Sequence, residues 1–256
     1  KNVIVNYIRA GYPGICLISH EEARAEAELK AAAAETQHSI CAWSVTTGLI
    51  DTIDARNLGA EDPMEAVMAI PGLPENTIAL LRDFHLFLEE GNPMLTRALK
   101  DALVQAKARG ICIVILGCRN TLPPELQREF VVVDFKLPDK DALGAVLDGI
   151  CESAELKKYK GDKRIAILEA ASGLTCLEAE NAFALSVVKH KSVDAGNVAK
   201  QKADTIKQNG LLEVVETVHS LDDIGGLDTL KEWLLKRRGA FSERAVKYGL
   251  PSPKGL

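Results

Sequence analysis

No apolar run in the sequence is longer than a β-strand needs, although 47% of its 256 residues are apolar. A bilayer-spanning helix takes about 20 consecutive apolar residues. No spanning segment, signal peptide or transit peptide is therefore read from the chain, and no membrane partner. The expectation is a cytoplasmic protein. A surplus of positive charge is missing as well: 31 Lys and Arg stand against 36 Asp and Glu, for a net charge of −5. Nucleic-acid backbones are gripped by clustered cations, so this balance argues against nucleic acid as a partner. Aromatic residues, at 5%, offer few stacking platforms for bases. Six cysteines occur, none in a C-x-x-C pair and none at zinc-ligand spacing. They are read as reduced thiols, and no metal site is assigned.

The most informative absence is a phosphate loop. "ICLIS" (15–19) reads as a strand covered on both faces, and "HEEARAEAELKAAAAE" (20–35) as a helix. Nucleotide-binding folds carry their phosphate loop at such a strand-to-helix turn. The loop needs glycines so that N–H groups can close round phosphate, a Lys for charge, and a Ser or Thr for magnesium. Here the turn is Ser19-His20-Glu21-Glu22, with no glycine and no lysine. Two carboxylates stand at the helix N-terminus, where they complement its dipole and repel an anion.

What is present is an alternation. "SICAWSV" (39–45), "TIALLRD" (77–83), "ICIVILGC" (111–118) and "FVVVDFKL" (130–137) read as further strands, with helices over 61–70 and 92–110 between them. "TTGLIDTIDARNLG" reads as loop, and residues 1–10 as a short amphipathic helix. Strands alternating with helices imply a mainly parallel sheet with helices on both faces. From residue 139 the strands stop: 139–153, 162–171, 175–190 and 194–208 all read as helices. Gly173 ends one of them, and Thr175 with Glu178 forms a capping box for the next. Asp83 closes its strand and is read as a strand-end hydrogen-bonding residue, with His85 as an alternative base; Asn120 is read as a turn residue.

A strand ending at Asp83, a strand ending at Asn120, "LPPEL", and a helical segment with "SGLTCLEAENAF" together resemble an AAA-type ATPase module. "LDDIGGLDTLKEWLLKRRGAFSERAVKYGLPSPKGL" (221–256) looks like the opening of a second one. The pattern resembles the AAA ATPases of plastid and cyanobacterial genomes, with bacterial and phage relatives, in which a degenerate AAA-like domain precedes an intact one. The resemblance implies an α/β fold: a three-layer parallel sheet of P-loop/AAA type, phosphate loop lost, followed by a small helical lid. It implies a degenerate domain over 1–137, a lid over 138–200, a linker over 201–220, and over 221–256 a second domain truncated before its phosphate loop.

The resemblance further implies ATP and Mg as cofactors of the full-length protein, with none on the first domain. It implies a ring-shaped homo-oligomer, a protein substrate or adaptor, and a plastid stroma location if the gene is plastid-encoded. Asp223, Ile224 and Gly225 are the implied adenine contacts; no catalytic residue is assigned to this chain. A non-enzymatic interaction scaffold is the alternative. The helix in the tail has an apolar side, so Trp233 and Leu234 are expected to be buried.

Overall fold

The computed structural model describes residues 3–52, 54–89, 91–208, 223, 225–237, 245 and 248–249. The chain divides into two compact units, residues 1–202 and 203–256.

The first unit opens with α1 (Val3–Arg9) and β1 (Gly14–Ile18), then α2 (Glu22–Thr36) and β2 (Ser39–Ser44). β3 (Gly48–Asp51), β4 (Arg56–Asn57) and α3 (Pro63–Ala69) follow, then β5 (Thr77–Arg82), α4 (Pro93–Ala108), β6 (Cys112–Gly117) and β7 (Val131–Asp134). The seven strands form one sheet in the order β4-β3-β2-β5-β6-β1-β7. Every neighbouring pair from β2 to β7 is parallel, and β3 and β4 are antiparallel additions at one edge.

Strand alternation divides the core in two. Ile15, Leu17, Ile40, Ala42, Ile78, Leu80, Val114 and Leu116 point to one face, with Ile4 and Ile8 of α1 and Ala25 and Leu29 of α2. Cys16, Cys41, Trp43, Ala79, Leu81, Ile113 and Ile115 point to the other, under Val67 of α3 and Leu99 and Leu103 of α4. Every residue of β6 is buried, as a central strand covered on both faces requires. The two helices over this second face start where local chemistry says they should. Asp62 and Asn92 accept from the N–H groups of the first turns, and Pro63 and Pro93 occupy the first helical positions.

The segment 46–59 corrects the loop expected there. Leu49 pairs with Trp43 and Asp51 with Cys41, and Thr52 Oγ1 donates to the Ile40 carbonyl at 2.8 Å. Its polar composition hides a short edge hairpin that exists because β2 offers it a free edge. Gly48 makes the turn at φ +67°, where an added Cβ would lie 2.7 Å from the Gly59 carbonyl oxygen.

Beyond β7, α5 (Lys140–Ser153), α6 (Gly161–Ala171), α7 (Cys176–His190) and α8 (Ala195–Gln208) follow. Leu147, Cys151, Ile167, Ala171, Phe183 and Val198 form a separate core for them. α7 carries the expected box: Thr175 Oγ1 accepts from Glu178 N–H at 3.2 Å, and Glu178 Oε2 accepts from Thr175 N–H at 2.8 Å. In the second unit the described helix is α9 (Asp228–Arg237).

Candidate functional site

In an open parallel sheet, ligands bind beyond the carboxyl ends of the strands. That end of β1 is occupied by the protein's own side chains. Ser19 Oγ accepts from Glu21 N–H at 2.9 Å, using a donor that a phosphate loop would leave free. Glu21 is the residue before the first turn of α2; its side chain is 7% exposed and makes no hydrogen bond to that helix's backbone N–H groups. Its Oε1 accepts from Cys176 N–H, the first residue of α7, at 2.6 Å. Its Oε2 accepts from Arg24 Nε at 2.9 Å and also from Arg24 Nη2.

The Arg24 guanidinium in turn donates to the Lys136 carbonyl and lies 4.3 Å from the Phe135 ring centroid. One carboxylate therefore joins the β1–α2 turn, the lid helix α7 and the segment leading out of β7. Burial alone would raise the Glu21 carboxyl, but the Arg24 bonds and the Cys176 amide outweigh it and hold it below the ordinary range. The Cys176 thiol moves up, by burial and then by the Glu21 charge.

Next to this, Arg82 at the end of β5 binds Glu26 through Nε and, at 3.0 Å, through Nη2, with Glu22 3.9 Å away. Glu22 is raised by burial and by the neighbouring Glu26 and Asp83 charges, against Arg82. Arg24 and Arg82 at this end of the sheet are thus committed to carboxylates. The residues present do not fit a polyphosphate: glycine and lysine are missing from the turn, an N–H is spent on Ser19, and the Glu21 and Glu22 carboxylates stand at the helix N-terminus.

Asp83 hydrogen-bonds at the strand end through its backbone, its N–H donating to the Leu116 carbonyl at 2.9 Å and its carbonyl accepting from Leu86 N–H at 3.1 Å. It stands at φ +52° with a side chain 62% exposed, and it makes no capping hydrogen bond. Phe84 and His85 behind it are buried. Asn120 is a turn residue, its Oδ1 accepting from Leu122 N–H at 3.1 Å. Sequence reasoning missed the Glu21–Cys176 bond. Its one signal was the Thr175 box, which satisfies the Glu178 N–H and leaves Cys176 N–H, in the first turn, wanting an acceptor.

In the second unit Asp223 is exposed, and Gly225 has nothing within 4 Å of where a Cβ would stand. Ile224 lies outside the described residues. α9 buries none of its residues; Trp233 is 37% exposed with the Arg237 guanidinium 3.7 Å from its ring centroid. Trp233 is exposed and Leu234 half-buried, so the expected burial of the two is not met among the described residues.

Among the described residues no helix is long and apolar enough to cross a membrane, and no group of three or more His, Cys, Asp or Glu could hold a metal ion. The family profile "SpoVK-like AAA ATPase, N-terminal domain" matches residues 1–135, and "SpoVK-like AAA ATPase, second domain" matches 141–209. The AAA domain-containing protein ycf46 of Guillardia theta is 30% identical over 257 residues, covering 97% of this chain and 50% of that protein. Its namesake from Trieres chinensis is 29% identical over 259 residues, covering 99% and 52%. The chain spans about half the length of the curated relatives it matches.

Among solved structures, the FIGL-1 AAA domain in complex with ADP aligns with a TM-score of 0.53 at 11% identity, covering 92% of this chain and 80% of that one. At that identity the likeness speaks for the fold alone: an AAA-type α/β sheet. With more than half its length matched by the first profile, the chain belongs to the SpoVK-like AAA ATPase family.

Proposed function

We propose that residues 1–200 form a nucleotide-free AAA-type module that serves assembly, regulation or substrate docking in a longer AAA ATPase. The observation that carries this reading is the Glu21 carboxylate, which stands in the β1–α2 turn where a phosphate loop would lie and bonds the α7 N-terminus. In an AAA ATPase a bound nucleotide tells the sheet domain where its lid is; here a covalently attached carboxylate does so permanently. The module is then a rigid platform, and remodelling of a protein substrate or adaptor is driven elsewhere.

ATP and Mg belong, on this reading, to a domain opening at residues 221–256, with Asp223, Ile224 and Gly225 against adenine. The doubled length of the relatives leaves room for it. A homo-oligomeric ring in the cytoplasm or plastid stroma is part of the same proposal.

The test is calorimetric titration of the 256-residue chain with MgATP and MgADP, beside phosphate release by the full-length protein. No heat of binding to the chain and steady release by the full-length protein are expected. Micromolar binding to the chain that Asp83→Ala abolishes would overturn the nucleotide-free assignment. A full-length protein that releases no phosphate would leave the scaffold reading instead.

A further inference from the structure

The carboxyl ends of β5 and β6 hold a second cluster that the Glu21 network does not use. His85 is buried, with its side chain 3% exposed, yet its Nδ1 has no hydrogen-bond partner. Its Nε2 lies 3.7 Å from Sγ of Cys118, and Cys118 itself is exposed. The ring's position is built in. An added Cβ on Gly117 would stand 2.2 Å from Nδ1, so the glycine before Cys118 makes the room the imidazole occupies. Thr121 Oγ1 donates to the His85 carbonyl at 2.8 Å and fixes the backbone from the other side.

A buried imidazole with an orphaned nitrogen is unfavourable. A purely structural role would favour an apolar residue there. The orphan gains a use when the ring is charged: Nε2–H then faces the sulfur of Cys118, and Nδ1–H faces Asp83 Oδ1 at 4.0 Å. Asp83, held at the strand end with its side chain outward, thereby acquires a role that its missing capping bond leaves open.

We propose that Cys118 is a peroxide-sensitive thiol, a modification site at which the buried His85 acts as the proton acceptor. The Cys118 S–H passes its proton to His85 Nε2 and the thiolate attacks one oxygen of hydrogen peroxide. An S–O bond forms and the O–O bond breaks. The departing hydroxide takes the proton from Nε2 and leaves as water. Sulfur is oxidised by two electrons to sulfenic acid, peroxide is reduced, and the imidazole returns to neutral.

The charged groups that face the ring are Asp83, Glu89 and Arg119. Burial lowers the imidazole's basicity, Asp83 and Glu89 raise it, and Arg119 lowers it. Arg119 is itself held by Glu89 at 2.5 Å. The net direction is downward, which favours the neutral ring that can accept the thiol proton. The other cysteines make a contrast within the molecule. Burial pushes Cys16 and Cys41 up to about 11 and Cys112 up to about 12, the Asp134 charge adding to Cys16 and Asp51 to Cys41.

The test is the rate of Cys118 oxidation by hydrogen peroxide, trapped with dimedone, and of its alkylation by iodoacetamide, both located by mass spectrometry. An exposed thiol with no base titrates near 8.5, so its rate climbs about tenfold from pH ~6.5 to ~7.5. With His85 as acceptor, Cys118 is expected to climb less than about threefold over that interval. His85→Gln should restore the steep climb. Asp83→Asn, at an exposed position where folding is safe, should slow both reactions about three- to tenfold at pH ~7. A tenfold climb in the wild-type chain overturns the proposal, as does an Asp83→Asn rate equal to wild type. The second result stands even if His85→Gln fails to fold.

Discussion

Replacing Glu21 with Ala tests whether one carboxylate fastens the lid to the sheet. The substitution removes the acceptor of Cys176 N–H, made at 2.6 Å, and the partner of Arg24, made at 2.9 Å. A hydrogen bond to a charged group contributes about 1.5–3 kcal/mol, and a buried N–H left unpaired sits at the upper end of that range. Arg24 is 28% exposed and keeps the Lys136 carbonyl and the Phe135 ring, so its lost pairing adds only about 0–1 kcal/mol. The total is about 2–4 kcal/mol. For a unit of this size that corresponds to a fall of about 4–16 °C in Tm.

Glu21→Gln keeps an oxygen for Cys176 and loses only the charge, so about half the effect is expected. Urea unfolding followed by far-UV circular dichroism measures both. The pH dependence has a definite sign. The folded carboxyl is depressed, so its contribution is complete above the unfolded value of about 4.3 and disappears as pH falls through the lower folded value. Wild type and Glu21→Ala should therefore converge at low pH. A gap under about 0.5 kcal/mol at neutral pH, the size of an ordinary surface change, would refute the latch. So would a gap that widens as the solution is acidified.

Thr175→Ala breaks the capping box of α7 and should destabilise by about 1 kcal/mol, read as a lower urea midpoint at unchanged slope. Gly14→Ala brings a Cβ to 2.8 Å from the Phe130 ring and 3.0 Å from the Glu129 carbonyl; overpacking of about 1–3 kcal/mol should appear in the same assay. In the full-length protein, Ile224→Asp would place a charge against adenine and should weaken ATP binding at least tenfold. If ATP and GTP bind that variant as tightly as wild type, the adenine assignment of Asp223, Ile224 and Gly225 is wrong.

Much of the fold is legible in the residues because its causes are local. "ICLIS" and "ICIVILGC" are continuous apolar runs, and strands covered on both faces need that pattern wherever they lie in the sheet. The helix starts at Asp62, Asn92 and Thr175 are set by side chains bonding the next turn, within three residues of themselves. The lack of a phosphate loop is equally local, since Ser19-His20-Glu21-Glu22 has no glycine to make one. The edge hairpin at 48–57 was hidden because its polar residues become strand only when β2 supplies the partner.

What only the tertiary structure decided is where the charges go. Glu21 and Cys176 are 155 residues apart, and no periodicity or spacing links a carboxylate at one helix start to an N–H at another. Nor does the sequence say that Asp83 turns outward while His85, two residues on, is buried against Gly117 and reaches Cys118. Helices and strands follow from short-range sterics and burial patterns that a sequence carries on its face. A site is made by long-range contacts between strand ends, and those exist only once the sheet has set its order.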